Sequence, residues 1–204
     1  PTRDIASALR EYAPGSDVVL DGRVYRSRGV TLNWHRPPEP GEAAPAELQA
    51  FKVVWRCRAC GFGRTDNVIP GSCPACEADS IEWRPYLEPA GFAVDLFERA
   101  QTDLTTRTWI PPEPPWIFCG GGPLATVGDP TRLRWRYSPS GEIVHLSGGT
   151  HGLGHALCLS CGRAASQLER DVLPPGLEGH RRLRGGGAPG QRDADGRCEG
   201  GTHE

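Results

Sequence analysis

Three Cys-x-x-Cys pairs carry the chemistry of this chain: Cys57-Arg58-Ala59-Cys60, Cys73-Pro74-Ala75-Cys76 and Cys158-Leu159-Ser160-Cys161. Two residues between cysteines let both thiolates face one point from a tight knuckle. Two such knuckles complete a tetrahedral shell of four sulfurs around zinc, at a Zn–S distance of about 2.3 Å. Twelve residues separate Cys60 from Cys73, a little short of the commonest four-cysteine spacing, but ribbon loops vary, and paired two-residue knuckles suit a zinc site better than two redox pairs or four ordinary buried cysteines. Four thiolates leave no open position for water or substrate, so the expected zinc at Cys57, Cys60, Cys73 and Cys76 is structural.

A second metal site is expected around Cys158 and Cys161, with Cys198 following after 36 further residues. Its fourth ligand is open on sequence grounds. His180 is the first choice, Cys119, His155 and His203 compete, and Cys198 could instead be an unrelated loop cysteine. Cys119, directly after Trp116-Ile117-Phe118, reads as a small apolar residue at a strand end. His151 and His155 have the spacing of a zinc-protease helix, but Gly152-Leu153-Gly154 lie between them, with no Glu to act as base. The same glycine-rich run lacks the Lys-Ser/Thr of a phosphate loop. No constellation for a zinc hydrolase is present.

Arg132, Arg134 and Arg136 alternate with Leu133, Trp135 and Tyr137. On a strand they would share one face at intervals of about 6.6–6.8 Å, close to the spacing of phosphates along a nucleic acid. The competing reading is a solvated sheet face. Arg181, Arg182 and Arg184 could extend such a track, and Trp135 could stack on bases.

The elements that must position these groups are short. Ile5, Leu9 and Tyr12 have helical spacing over 2–12, ended by Pro14-Gly15. Strands are expected at 17–20, 23–28 and 30–34, the first two joined by an Asp21-Gly22 hairpin turn. Residues 36–47 read as a loop. Strands at 52–56 and 81–84 bracket the first two knuckles, which is the layout of a zinc ribbon. A half-buried strand is expected over 91–97, an extended proline-rich stretch over 110–116, and two strands at 132–137 and 142–146 joined by a Ser-Pro-Ser-Gly turn. Residues 148–154 read as a glycine-rich turn, 163–170 as a short helix, and 185–197 as a mobile tract. The fold class is mainly β (α+β), with a zinc ribbon over 51–86, a hairpin-rich part over 1–50 and a β-rich zinc-binding domain over 87–204.

Composition agrees with a fold that leans on metal. Hydrophobic residues make up 37% of 204, while 27 Gly and 20 Pro occupy roughly a quarter, so the core is thin and needs staples. The net charge of −2 gives no whole-chain argument for nucleic acid. Apart from Lys52 the basic residues are all Arg, which reads first as a genome-composition bias. The absence of Met and the start at Pro1 suggest a piece of a longer polypeptide. No run of about 18 apolar residues occurs. Cysteines spaced for metal rather than disulfides place the chain in a reducing cytoplasm.

Three stretches together look familiar: Arg10-Glu11-Tyr12-Ala13-Pro14-Gly15 followed by Val18 to Tyr25; Tyr86-Leu87-Glu88-Pro89-Ala90-Gly91-Phe92-Ala93-Val94-Asp95; and Gly154-His155-Ala156-Leu157-Cys158-Leu159-Ser160-Cys161-Gly162-Arg163 with the later His180 and Cys198. The chain resembles the C-terminal zinc-binding region that follows the motor in large bacterial DEAD/DEAH-box helicases of the Mrf-type DNA-repair and DISARM-like phage-defence groups. The resemblance implies a non-catalytic module that helps a superfamily 2 helicase hold DNA, with an ATP-binding motor in cis or in trans. This chain has neither a phosphate loop nor an Asp-Glu-Ala-His motif, so any ATPase lies elsewhere. The alternative is a zinc-stabilised scaffold for another protein, using the 110–116 segment, Trp109 and Trp116.

Overall fold

The computed structural model describes residues 3–32, 51–95, 97–120, 125–129, 133–181, 183, 198 and 202–203. In chain order the elements are α1 (Ile5–Tyr12), β1 (Asp17–Leu20), β2 (Arg23–Val30), β3 (Lys52–Cys57), β4 (Gly63–Asp66), β5 (Ile81–Tyr86), β6 (Phe92–Val94), β7 (Trp116–Phe118), β8 (Ala125–Thr126), β9 (Arg134–Trp135), β10 (Glu142–Val144), β11 (His155–Cys158), β12 (Ala164–Ser166) and β13 (Thr202–His203). The architecture is mainly β, built of small antiparallel sheets with one short helix. The chain divides into two interleaved compact units. Unit 1 comprises 1–50, 88–114 and 145–204; unit 2 comprises 51–87 and 115–144.

In unit 1, Asp4 caps α1 by accepting a hydrogen bond from the Ser7 amide at 3.0 Å. Ala8 is the helix residue that is buried; Tyr12 meets Phe92 edge-on at 6.2 Å. Asp21 and Gly22 both have positive φ (50° and 72°), as the two-residue turn between β1 and β2 requires. β2 continues to Val30 where two strands were expected, and pairs with β6 through a register shift between Ser27 and Gly29. Asp17 accepts two hydrogen bonds from the Arg26 guanidinium, at 2.8 and 2.9 Å, and one from the Thr108 amide at 2.8 Å.

The expected helix over 163–170 is not formed. Gly162 turns the chain back with φ +81°, so Ala164–Ser166 becomes β12 and pairs with β11 in the order β12-β11-β13. A chain reversed so tightly finds its hydrogen-bond partners on the strand it has just left, and that overrides helical spacing.

In unit 2, β3 is the centre of a β4-β3-β5 sheet. Trp55 is fully buried and meets Phe62 edge-on at 5.7 Å. Arg56 lies over the Trp116 ring at 4.3 Å, and Thr65 bonds Glu142 of β10 at 2.8 Å. A Cβ on Gly63 would come within 2.7 Å of the Phe118 ring and 2.4 Å of the Trp55 carbonyl, so only glycine lets β7 approach. Residues 110–115 carry no regular secondary structure, and Trp116 pairs with Val144. The expected hairpin of 132–137 with 142–146 does not form: β10 pairs with β7, and β9 pairs with β8. Trp116 and Phe118 offer β10 a buried apolar partner. The loop at 36–47 and the tract at 185–197 lie outside the described residues.

Candidate metal centres

The three Cys-x-x-Cys segments fold into the same turn. In the first, the Cys57 amide donates to the Phe62 carbonyl at 2.8 Å and the Gly61 amide to the Cys57 carbonyl at 2.9 Å. In the second, Cys73 donates to Ala78 at 2.9 Å and Glu77 to Cys73 at 2.7 Å; in the third, Cys158 donates to Arg163 and Gly162 to Cys158, both at 2.8 Å. Each turn closes through a left-handed residue at its fifth position: Gly61 (φ 72°), Glu77 (62°) and Gly162 (81°). Such a turn leaves both sulfurs on its concave side.

β3 delivers Cys57 and the first knuckle, and the segment before β5 delivers the second. The ligand atoms of Cys57, Cys60, Cys73 and Cys76 all lie within 4.8 Å of one another. Cys57 and Cys76 sulfurs are 3.6 Å apart, as are Cys60 and Cys73. A tetrahedron with Zn–S bonds of about 2.3 Å has edges of about 3.8 Å, and a disulfide has its sulfurs at about 2.05 Å. The four thiols are therefore unbonded and spaced for a metal. Burial of Cys57 opposes its thiolate, but the amides of Cys60 and Ala59 and the Cys76 and Cys73 thiols outweigh this and bring it down to about 7.

The second group is Cys158, Cys161, His180 and Cys198, again within 4.8 Å of one another and all buried. Cys158 and Cys198 sulfurs are 3.7 Å apart; the His180 Nε2 is 3.2 Å from the Cys161 sulfur. The Nδ1 of His180 lies 2.6 Å from the Leu177 carbonyl. A proton there, donated to that carbonyl, frees Nε2 to face the sulfurs as a ligand. Burial works against a charged His180, while Cys161 and Cys198 beside it, with the Leu177 carbonyl, push its pKa up to about 10. The Cys158 thiol is held well above its ordinary value by Cys161 and Cys198 and by burial. Crowded thiols that resist ionisation are the condition a cation relieves. Either group could hold a metal such as zinc.

Cys119 and His155, two of the competing fourth ligands, lie outside this group. Cys119 follows β7 in unit 2, at the strand end where it was expected. The His155 Nε2 is 3.1 Å from the Ser147 Oγ, and desolvation lowers its pKa to about 4. His203 pairs through its backbone with Leu157. Among the described residues these two groups of four are the clusters able to hold an ion, and neither includes His151.

Sequence reasoning missed the residues that seat the third knuckle. The Val30 amide donates to the Gly162 carbonyl at 2.8 Å, and a Cβ on Gly29 would lie 2.1 Å from that carbonyl. Arg163 pairs with Asp95 and donates to the Arg181 carbonyl at 2.9 Å. A Gly inside a strand pattern was the available signal, since it marks close backbone approach.

Arg132, Arg182 and Arg184 lie outside the described residues. Arg136 is half-buried, with its Nε enclosed. The residues that face outward are Leu133 (55% exposed), Trp135 (53%) and Tyr137 (75%). Trp116, expected as an exposed aromatic, is buried, whereas Trp109 is exposed.

Comparison with known proteins gives no matching protein family, no matching curated protein and no matching solved structure. Among the described residues no helix is long and apolar enough to cross a membrane.

Proposed function

We propose that the chain is a non-catalytic zinc-binding accessory region of a superfamily 2 DNA helicase, helping the motor hold DNA in repair or phage defence. Zinc is the metal of this reading because three or four thiolates in a closed tetrahedral set suit it, and because no ligand position is left for chemistry. Thiols kept for metal rather than for disulfides support a reducing cytoplasm as its compartment. The motor partner rests on the resemblance described above.

The observation that carries the DNA reading is the outward row Leu133, Trp135 and Tyr137. Unit 2, which bears it, has eight Arg and Lys against six carboxylates, a net +2; unit 1 has fifteen against nineteen, a net −4. Aromatic faces on the basic unit suit bases and phosphates together. Fluorescence anisotropy with labelled single-stranded and duplex DNA tests it. Trp135→Ala should weaken binding by about 1–3 kcal/mol if a base stacks there, and Arg134→Gln should lower the salt slope by about one unit. Absence of binding to either DNA at low salt overturns the reading.

A second reading, a scaffold for another protein, is favoured by Ile117 and Ile143. They face each other across β7 and β10 and are 65% and 61% exposed. Partner capture that persists above about 0.5 M salt supports it, because phosphate contacts weaken steeply with salt.

A further inference from the structure

The two candidate centres differ in what covers them. Cys158, Cys161, His180 and Cys198 are all buried, and Leu157, Leu159, Leu177 and Leu183 in the same stretches are buried too. In the ribbon, Cys57 and Cys73 are buried, Cys60 is half-buried and Cys76 is exposed. Susceptibility of a cysteine to oxidants follows its thiolate character and its exposure, and a bound zinc would hold all four ribbon sulfurs as thiolates. A zinc-bound sulfur keeps lone pairs, so coordination alone does not protect it.

We propose that Cys76 is an oxidant-reactive modification site, with Cys57, 3.6 Å away, as its resolving thiol. Peroxide then releases the ribbon metal reversibly while the buried centre keeps its own. The inference rests on zinc occupying both groups.

The chemistry balances with hydrogen peroxide as oxidant. The Cys76 thiolate attacks one peroxide oxygen, the O–O bond breaks, hydroxide leaves and a sulfenic acid forms. The Cys57 thiolate then attacks the Cys76 sulfur, forming the S–S bond and expelling the second oxygen as hydroxide. Two sulfurs lose two electrons, the peroxide gains them, and two protons convert the hydroxides to water. Zinc, left with two of its four ligands, dissociates. Thiol reductant and added zinc reverse the sequence. The knuckle 73–78, which precedes β5, loosens; β11 and β12 do not.

The test uses the full chain carrying Cys119→Ser, which removes the one thiol outside both groups. Native mass spectrometry first counts zinc, and hydrogen peroxide is then titrated at neutral pH while a chromophoric chelator reports release. One zinc should leave at least about tenfold faster than the other. Peptide mapping should find Cys76 joined to Cys57, with Cys158, Cys161 and Cys198 unmodified. Cys76→His, which keeps a zinc ligand but removes the exposed thiolate, should slow the fast phase. Release of both zincs together, a disulfide confined to the buried group, or an unmodified Cys76 overturns the inference and leaves the zinc assignment standing. A starting count below two overturns the zinc assignment itself, and the inference with it.

Discussion

The amide of Cys198 donates to the carbonyl of His180 at 2.9 Å. The two ligands furthest along the chain are thus tied to each other through the backbone as well as through a shared point of sulfur and nitrogen. His180 is held in turn by Leu177, whose carbonyl meets the ring and whose side chain is buried. Neither ligand belongs to a knuckle, and this pairing supplies the rigidity that a knuckle would.

With zinc in both groups, as proposed above, replacing His180 by Ala should remove one of the two metals and loosen the sheet that Cys158 terminates. Structural zinc contributes on the order of 10 kcal/mol of folding free energy, so the loss should exceed that of any apolar substitution in unit 1. Zinc counting together with hydrogen exchange over 155–166 checks it. Unchanged protection with one zinc missing would show that the metal is not what holds this sheet.

Glu77 is the only non-glycine among the three left-handed knuckle residues. That conformation costs an L-residue roughly 1–2 kcal/mol, partly offset by the entropy that Gly loses on folding. Glu77→Gly should stabilise by about 1 kcal/mol. Gly162→Ala should do the reverse, and by more, because its Cβ would lie 2.1 Å from the Val30 carbonyl. Denaturant midpoints of the two variants should move in opposite directions from the parent.

Asp17 holds Arg26 and the Thr108 amide together. Its carboxyl sits below the ordinary value, chiefly because the Arg26 guanidinium hydrogen-bonds it against the cost of burial. Hydrogen bonds to a charged group contribute roughly 1.5–3 kcal/mol, and Asp17→Asn should lose an amount of that order at neutral pH. A carboxyl with a depressed folded pKa stabilises above its unfolded pKa and loses that contribution as pH falls through the folded one. The two proteins should converge in strong acid; a constant gap at every pH would exclude the ionic account.

His155 behaves with the opposite demand. Its pKa falls from 6.5 to about 4 because desolvation disfavours the imidazolium. Between those values the unfolded chain binds a proton that the folded chain refuses, so stability is complete above pH 6.5 and declines toward pH 4. His155→Gln should flatten that part of the stability profile by up to one proton. Equal slopes in parent and variant would show that the ring titrates normally.

Much of this was readable from residue types. The Asp21-Gly22 hairpin turn and the strands on either side of the first two knuckles follow from local chemistry, because turn residues and sulfur spacing act over a few positions. The ligand quartet around Cys158 was readable only as candidates, since His180 and Cys198 reach it through backbone contacts that no spacing encodes. The pairing of β7 with β10 was not legible. It depends on Gly63 admitting Phe118, a long-range fit invisible at either position alone. At 132–137, period-two patterning identifies two faces without saying which one meets solvent; Leu133, Trp135 and Tyr137 are exposed and Arg136 is half-buried.

The placement of the ligands also sets a timetable for the ribosome. All four ribbon cysteines have been translated by Cys76, whereas the buried quartet waits for Cys198, more than a hundred residues later. During synthesis the nascent polypeptide can load its surface metal first, and three thiol or imidazole arms of the deeper set remain unshielded until the last one emerges. A cell short of zinc would thus be expected to leave the late-completed half, and not the early one, for its quality-control proteases.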